Sequence, residues 1–84
     1  MMIPTPEREY LAANLKRARH ARGLTQDDIA AMSGVNRAYV SELERARRNI
    51  GIDCIGRIAA ALDVPAASLL LPTETVRRPR GRLI

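Results

Sequence analysis

The stretch from Gln26 to Glu44, QDDIAAMSGVNRAYVSELE, leaves the chain few ways to fold. Thr25 can cap a first helix with its hydroxyl, and Asp28, three residues on, answers as the acidic half of a capping box and suits the positive end of the helix. Ile29 and Ala30 then face inward. Gly34 tolerates the left-handed backbone that ends one helix and turns the chain within a few residues. Asn36 restarts it as an N-cap. With residues advancing by about 100° each, Val40 and Leu43 share one face of the second helix, and Arg37, Ala38, Ser41, Glu42 and Arg45 lie across from it. That outer face has no apolar stripe to bury.

Two short helices at a steep angle, the second with a small or polar outward face, are what a protein needs to place side chains in the major groove of double-stranded DNA. Arg37, in the first turn, can donate bidentately to guanine O6 and N7, worth about 1–3 kcal/mol of discrimination; the alternative is a phosphate contact. Ala38 and Ser41 are small enough for close approach, and Ala38 can meet a thymine methyl. Glu42 must either accept from a cytosine amine or be repelled by phosphates. Tyr39 reads as half core and half phosphate donor, and Asn36 as a cap rather than a base reader.

The formal charge of +5 fits a nucleic-acid partner, but its distribution matters more than its total. Residues 1–74 carry ten Lys or Arg against nine Asp or Glu, whereas residues 75–84 carry Arg77, Arg78, Arg80 and Arg82 and no acid. The end of the chain, RRPRGRLI, is close to the PRGRP core of an AT-hook, with Leu83 where the last proline belongs. In that mode Arg80 and Arg82 lie in a narrow A/T minor groove; the alternative is an arginine tail adding sequence-independent phosphate attraction.

In chain order, Thr5 and Pro6 form a helix start, with the hydroxyl capping and the proline at the first helical position. The helix is expected over about residues 7–22, with Leu11, Leu15 and Ala18 inward, Gly23 ending it and Leu24 dropping into the core. Arg19 lies beside that stripe and is expected to pair with Glu44, since each sits at the edge of a buried face where an unpaired charge is costly. RARRNIGID follows as a basic connection whose Arg45, Arg47 and Arg48 can touch phosphates, or alternatively stay solvated and complement the negative end of the helix. Ile52, Ile55, Ile58, Ala59 and Leu62 predict a fourth amphipathic helix over 52–62, broken by Asp63, Val64 and Pro65. A short final helix is expected over 66–71. Its Leu69, Leu70 and Leu71 are too many consecutive leucines for one buried stripe, which points to a dimer contact; the alternative is that all three cap the core. The organisation is therefore an N-terminal tail, 1–6, an all-α domain, 7–71, and a basic, disordered tail, 72–84.

Eighty-four residues make one small domain with a modest core and no room for a catalytic cleft. No nucleophile–base pair, catalytic carboxylate pair, metal-ligand cluster or phosphate loop stands out, so an enzyme is the poorest reading and no cofactor is expected. His20 has no ligand-type neighbours at metal spacing and reads as a solvated side chain. Cys54, alone, fits a near-core residue in a reducing compartment. No apolar run is long enough for a signal peptide or a membrane span, so a soluble cytoplasmic protein is expected.

The segment RHARGLTQDDIAAMSGVNRAYVSELERARRNIGID resembles the XRE-like family of phage repressors, Cro proteins and bacterial relatives. The shared pattern is an arginine four before Gly-Leu-Thr-Gln, an aliphatic-Ala pair, a turn glycine and Ser-x-x-Glu, and the resemblance covers about residues 7–71. NRAYVSELERARRNI is further similar to restriction-modification controller proteins. The resemblance implies a compact five-helix repressor-like domain with a helix-turn-helix. It places Arg37, Ala38 and Ser41 at base-reading positions, Gln26 at a phosphate, Tyr39, Arg48 and Asn49 on the backbone, and Arg19 with Glu44 in a buried ion pair. Ala46 stands where a glycine commonly ends the recognition helix, and Ile50 where proline is common. The expected function is a homodimeric, sequence-specific transcriptional regulator on an inverted-repeat operator, with a recognition helix over about Arg37–Arg45 and no small-molecule effector evident. The alternative is an antitoxin or protein-interaction module that uses the Leu69–Leu71 patch.

Overall fold

A computed structural model describes residues 3–73. The described chain is all-helical: α1, Pro6–Ala21; α2, Gln26–Ser33; α3, Arg37–Glu44; α4, Ile52–Leu62; and a closing 3-10 helix, Ala66–Leu70. Five helical elements were expected, and the fifth is a 3-10 turn rather than an α-helix. The expectations for Arg80, Arg82 and the rest of the tail beyond Thr73 lie outside the described residues.

α1 packs on α3 and on the 3-10 helix, and α2 packs on α3 and α4, so α3 is held from both sides. Leu15, Ile29, Val40, Ile58 and Leu62 lose all their exposure at the centre. Each such aliphatic side chain contributes about 1.5–3 kcal/mol of transfer free energy. Val40 and Leu43 are the inward face of α3, as the helical spacing predicts.

One expectation about burial fails, and one, that at least one of Leu69, Leu70 and Leu71 is exposed, is met by Leu71 alone. Helical spacing puts Ile52 on the inward stripe of α4, but it is 73% exposed, because it is the first residue of the helix and the core begins one turn later at Ile55. The sequence groups Leu69 with its neighbours at a dimer contact, whereas it is buried in the core at 1% exposure; Leu70 is partly buried, and Leu71 is 58% exposed. The physical reason is local. Asn14, itself buried on α1, donates its side-chain nitrogen to the carbonyls of Leu69 (3.0 Å) and Leu71 (2.9 Å), which holds the turn with Leu69 inward. Tyr10 is also buried, with its hydroxyl unpartnered among the described residues.

The helix ends follow backbone chemistry that the sequence states only in part. Thr5 stands at the N-cap of α1 but its hydroxyl makes no capping bond; the Arg8 N–H donates instead to the Thr5 carbonyl at 3.1 Å. Thr25 and Asp28 do form the reciprocal capping box on α2, and Asn36 accepts from the Ala38 and Tyr39 N–H groups on α3. Gly34 closes α2 at φ 75°. α3 ends in a Schellman arrangement, with the Arg47 N–H donating to the Glu42 carbonyl (2.9 Å) and the Ala46 N–H to that of Leu43 (3.0 Å). Ala46 takes the left-handed position at φ 59°, so the exit glycine is replaced without changing the exit.

A β-carbon in that region costs about 1–2 kcal/mol, partly offset by the larger unfolded-state entropy of glycine. Ala46→Gly is therefore expected to stabilise the domain by about 0.5–1 kcal/mol in urea unfolding; an unchanged or lowered midpoint would show that Ala46 is not strained.

Candidate nucleic-acid interface

α2, the Gly34 turn and α3 are locked together by short-range bonds. The Ser33 hydroxyl donates to the Ile29 carbonyl at 2.6 Å and accepts from the Val35 N–H at 3.1 Å, and Val35 tucks into the core. These contacts tie the turn to α2 and to the core, which sets the angle at which the outer face of α3 is presented.

Behind that face sits the charged hub. Arg19 Nε donates to Glu44 Oε2 at 2.6 Å and its Nη2 to Oε1 at 2.9 Å, a bidentate pair. Arg19 Nη1 reaches the Leu24 carbonyl at 2.9 Å, and Gln26 Nε2 donates to Glu44 Oε1 at 3.1 Å. Burial pushes the Glu44 carboxyl up, but hydrogen bonds from Arg19 and Gln26, with the charges of Arg19 and Lys16, outweigh it and hold the group below its ordinary 4.5. The Glu44 hydrogen bond likewise pushes Arg19 up against the smaller effect of its own burial. Gln26, expected at a phosphate, thus has its side-chain nitrogen committed to this hub. His20 borders it, with Nε2 3.2 Å from Arg19 Nη2.

On the outer face Arg37 and Ala38 are exposed, and Ser41 and Glu42 are half-buried. Arg37 Nε lies 2.9 Å from Asp27 Oδ1, across the turn on α2. Glu42 meets Arg48, whose Nε donates to Oε1 at 2.5 Å. The same guanidinium sits 4.7 Å above the Tyr39 ring, and the Tyr39 hydroxyl donates to the Asn49 carbonyl at 2.9 Å. The Arg48 hydrogen bond is the first cause that holds the Glu42 carboxyl below its ordinary value; burial opposes it, and the charges of Arg48, Arg45 and Arg47 add to it. Glu42, Arg48, Tyr39 and Asn49 therefore form one cluster that binds the basic connection to α3. Arg47 is not part of it: with Arg45, Lys16 and Arg17 it borders an open groove of about 1140 Å³ between α1 and the exit of α3.

The Asp27–Arg37 and Glu42–Arg48 pairs escaped the sequence reading, because neither spacing is helical and each spans a chain reversal. The capping pattern around Asp27 and the run of arginines after Glu42 were the available signals.

The family model described as Helix-turn-helix matches residues 15–69, the whole span from the middle of α1 to Leu69. The chain belongs to the XRE-type helix-turn-helix family. Among its relatives, the Neisseria hypothetical transcription factor of Neisseria meningitidis is 43% identical over 67 residues; the match covers 80% of this chain and 63% of that protein's length. The crystal structure of the hypothetical transcription factor NHTF from Neisseria superposes with a TM-score of 0.77 at 39% identity, covering 89% of this chain and 88% of that one. The restriction-modification controller protein C.Esp1396I, solved as a tetramer with its natural 35 base-pair operator, superposes at 0.69 with 30% identity, covering 75% of this chain and 83% of that one.

Removing one partner of the hub strands a buried charge, so Glu44→Ala is expected to cost about 3–5 kcal/mol. Because the folded carboxyl titrates below the unfolded one, its contribution is complete above about pH 4.5 and fades as pH falls through the depressed folded value. Urea unfolding at neutral pH and at acid pH checks both, and Glu44→Gln should flatten the acid-side loss.

Proposed function

We propose that this chain is a sequence-specific DNA-binding transcriptional regulator that works as a two-fold dimer on an inverted-repeat operator. The observation that carries the reading is α3 itself. Its Val40 and Leu43 are fully used in the core, and Arg37 and Ala38, on the opposite side, are exposed, with Arg37 held only by a solvent-exposed contact to Asp27 among the described residues. A helix with that division, held by a rigid turn, is a major-groove reader. The names of its relatives support the class, and the operator complex of C.Esp1396I supports DNA as the partner.

Arg37 is the base reader, donating to guanine, with Ala38 and Ser41 permitting close approach. Arg47 and Asn49 serve the phosphates, joined by Gln26 through the amide hydrogen not given to Glu44 and by Tyr39 and Arg48 once released from the Asn49 carbonyl and from Glu42. Arg80 and Arg82, at the basic end of the chain, reach toward an adjacent A/T minor groove or its phosphates. The dimer forms around exposed Leu71 with the partly buried Leu70, and Leu69 supports them from the core. Half-sites then lie about one helical turn, roughly 34 Å, apart. Regulation needs no cofactor and no enzymatic step on this reading, and the setting is the cytoplasm. Among the described residues no helix is long and apolar enough to cross a membrane.

Selection of bound sequences from random DNA, run for the full chain and for a version ending at Thr73, tests the whole reading. A shared palindrome is expected, with flanking A/T preference lost on truncation; no enrichment would sink it. Arg37→Ala should lower operator affinity by about 1–3 kcal/mol and relax one position per half-site, whereas equal weakening on every sequence would make Arg37 a phosphate contact. Leu71→Glu should shift sedimentation toward the monomer, and an unshifted dimer would move the interface elsewhere.

A further inference from the structure

Two arginines on the proposed DNA face are already occupied by acids of the same chain. Arg37 is held by Asp27 from α2, and Arg48 by Glu42 from α3. Neither pair is structural in the way of the buried Arg19–Glu44 hub: the four side chains are between 38% and 75% exposed. Exposed pairs contribute little to folding, so packing alone gives no reason for an acid to stand at each place. Residues 1–74 are also nearly neutral, although the face would meet a polyanion.

We propose that Asp27 and Glu42 are internal counterions that stand in for DNA phosphates, occupy Arg37 and Arg48 in the free protein and hold down the affinity for DNA of any sequence. The inference rests on the DNA-binding function argued above. A phosphate approaching Arg48 must displace the Glu42 carboxylate, and a base or phosphate approaching Arg37 must displace Asp27. In each case the displaced acid stays beside the duplex as a like charge. The arginines therefore deliver less than their full complement of counterion release, which makes binding weaker and less salt-dependent than the arginine count alone implies. Geometry gives the acids a second effect: Asp27 holds the Arg37 guanidinium at the first turn of α2, and Glu42 holds that of Arg48 on the Tyr39 ring.

The test compares the full chain with Asp27→Asn, Glu42→Gln and the control Asp63→Asn. The control removes the same charge from an exposed acid at the C-terminal end of α4, whose cation, Arg22, is not on the DNA face. Binding to a duplex lacking any inverted repeat is measured between about 50 and 200 mM salt, with thermal unfolding to confirm the fold of each variant. Asp27→Asn and Glu42→Gln are expected to bind roughly two- to fivefold tighter at low salt and to steepen the salt slope by about 0.9 each, while Asp63→Asn stays close to the parent. Parent-like affinity and slope in both variants, an equal gain in Asp63→Asn, or weaker binding in folded Glu42→Gln would each overturn the counterion role and leave DNA binding itself standing. No binding by the parent chain at any salt would remove the proposed function, and this inference with it.

Discussion

The structure depends on one bidentate ion pair. Arg19 comes from the last turn of α1 and Glu44 from the last residue of α3; Gln26, the first residue of α2, adds a third side chain, and the Leu24 carbonyl a fourth ligand. Three helices and the loop between two of them are thereby indexed to a single ion pair, the loop through Arg19 and the start of α2 through Glu44. Burying two charges is costly, and a hydrophobic pair of the same volume could replace them with little loss of stability. What the pair supplies is geometric: a guanidinium fork accepts a carboxylate in one plane, so the start of α2 and the end of α3 cannot slide independently. A helix-turn-helix is useful only if those two ends stay in register.

Hydrophobic burial does the rest, and it is economical. α3 is only eight residues long, too short to persist alone, and gains its order from Val40 and Leu43 packed among α1, α2 and α4. Because only the inward side of so short a helix is needed for packing, its outer side is free for another purpose. The bonds of Ser33 and the cap of Asn36 satisfy the turn internally, which leaves the Arg37 side chain unburdened by any structural task beyond a solvent-exposed contact with Asp27.

Electrostatics on that face run against the overall charge. The chain is basic in sum, yet the arginines nearest to where DNA would lie are answered by acids, and further basic residues stand in the sequence at the end of the chain and along the groove bordered by Lys16, Arg17, Arg45 and Arg47. Exposed ion pairs hold side chains in place weakly and reversibly, which suits groups that must change partners on binding.

Much of this was legible in one dimension. Helical spacing identified Val40, Leu43, Ile55, Ile58 and Leu62 as core because burial of a helix stripe depends on residue type at a fixed period. Capping chemistry located the starts of α2 and α3, since the donor and acceptor lie within three residues of each other. The Arg19–Glu44 pair was inferable because two charges at the edges of buried stripes had to find each other. Tertiary structure alone decided the rest, wherever the deciding partner is distant in the chain or sits across a reversal. Asn14 settled the fate of three equivalent leucines from more than fifty residues away. Asp27 and Arg48 became the partners of Arg37 and Glu42 only once the turn and the helix exit had folded back. Sequence periodicity specifies which face of an element is buried; which atoms meet across that face is a property of three-dimensional packing, where distance along the chain no longer measures proximity.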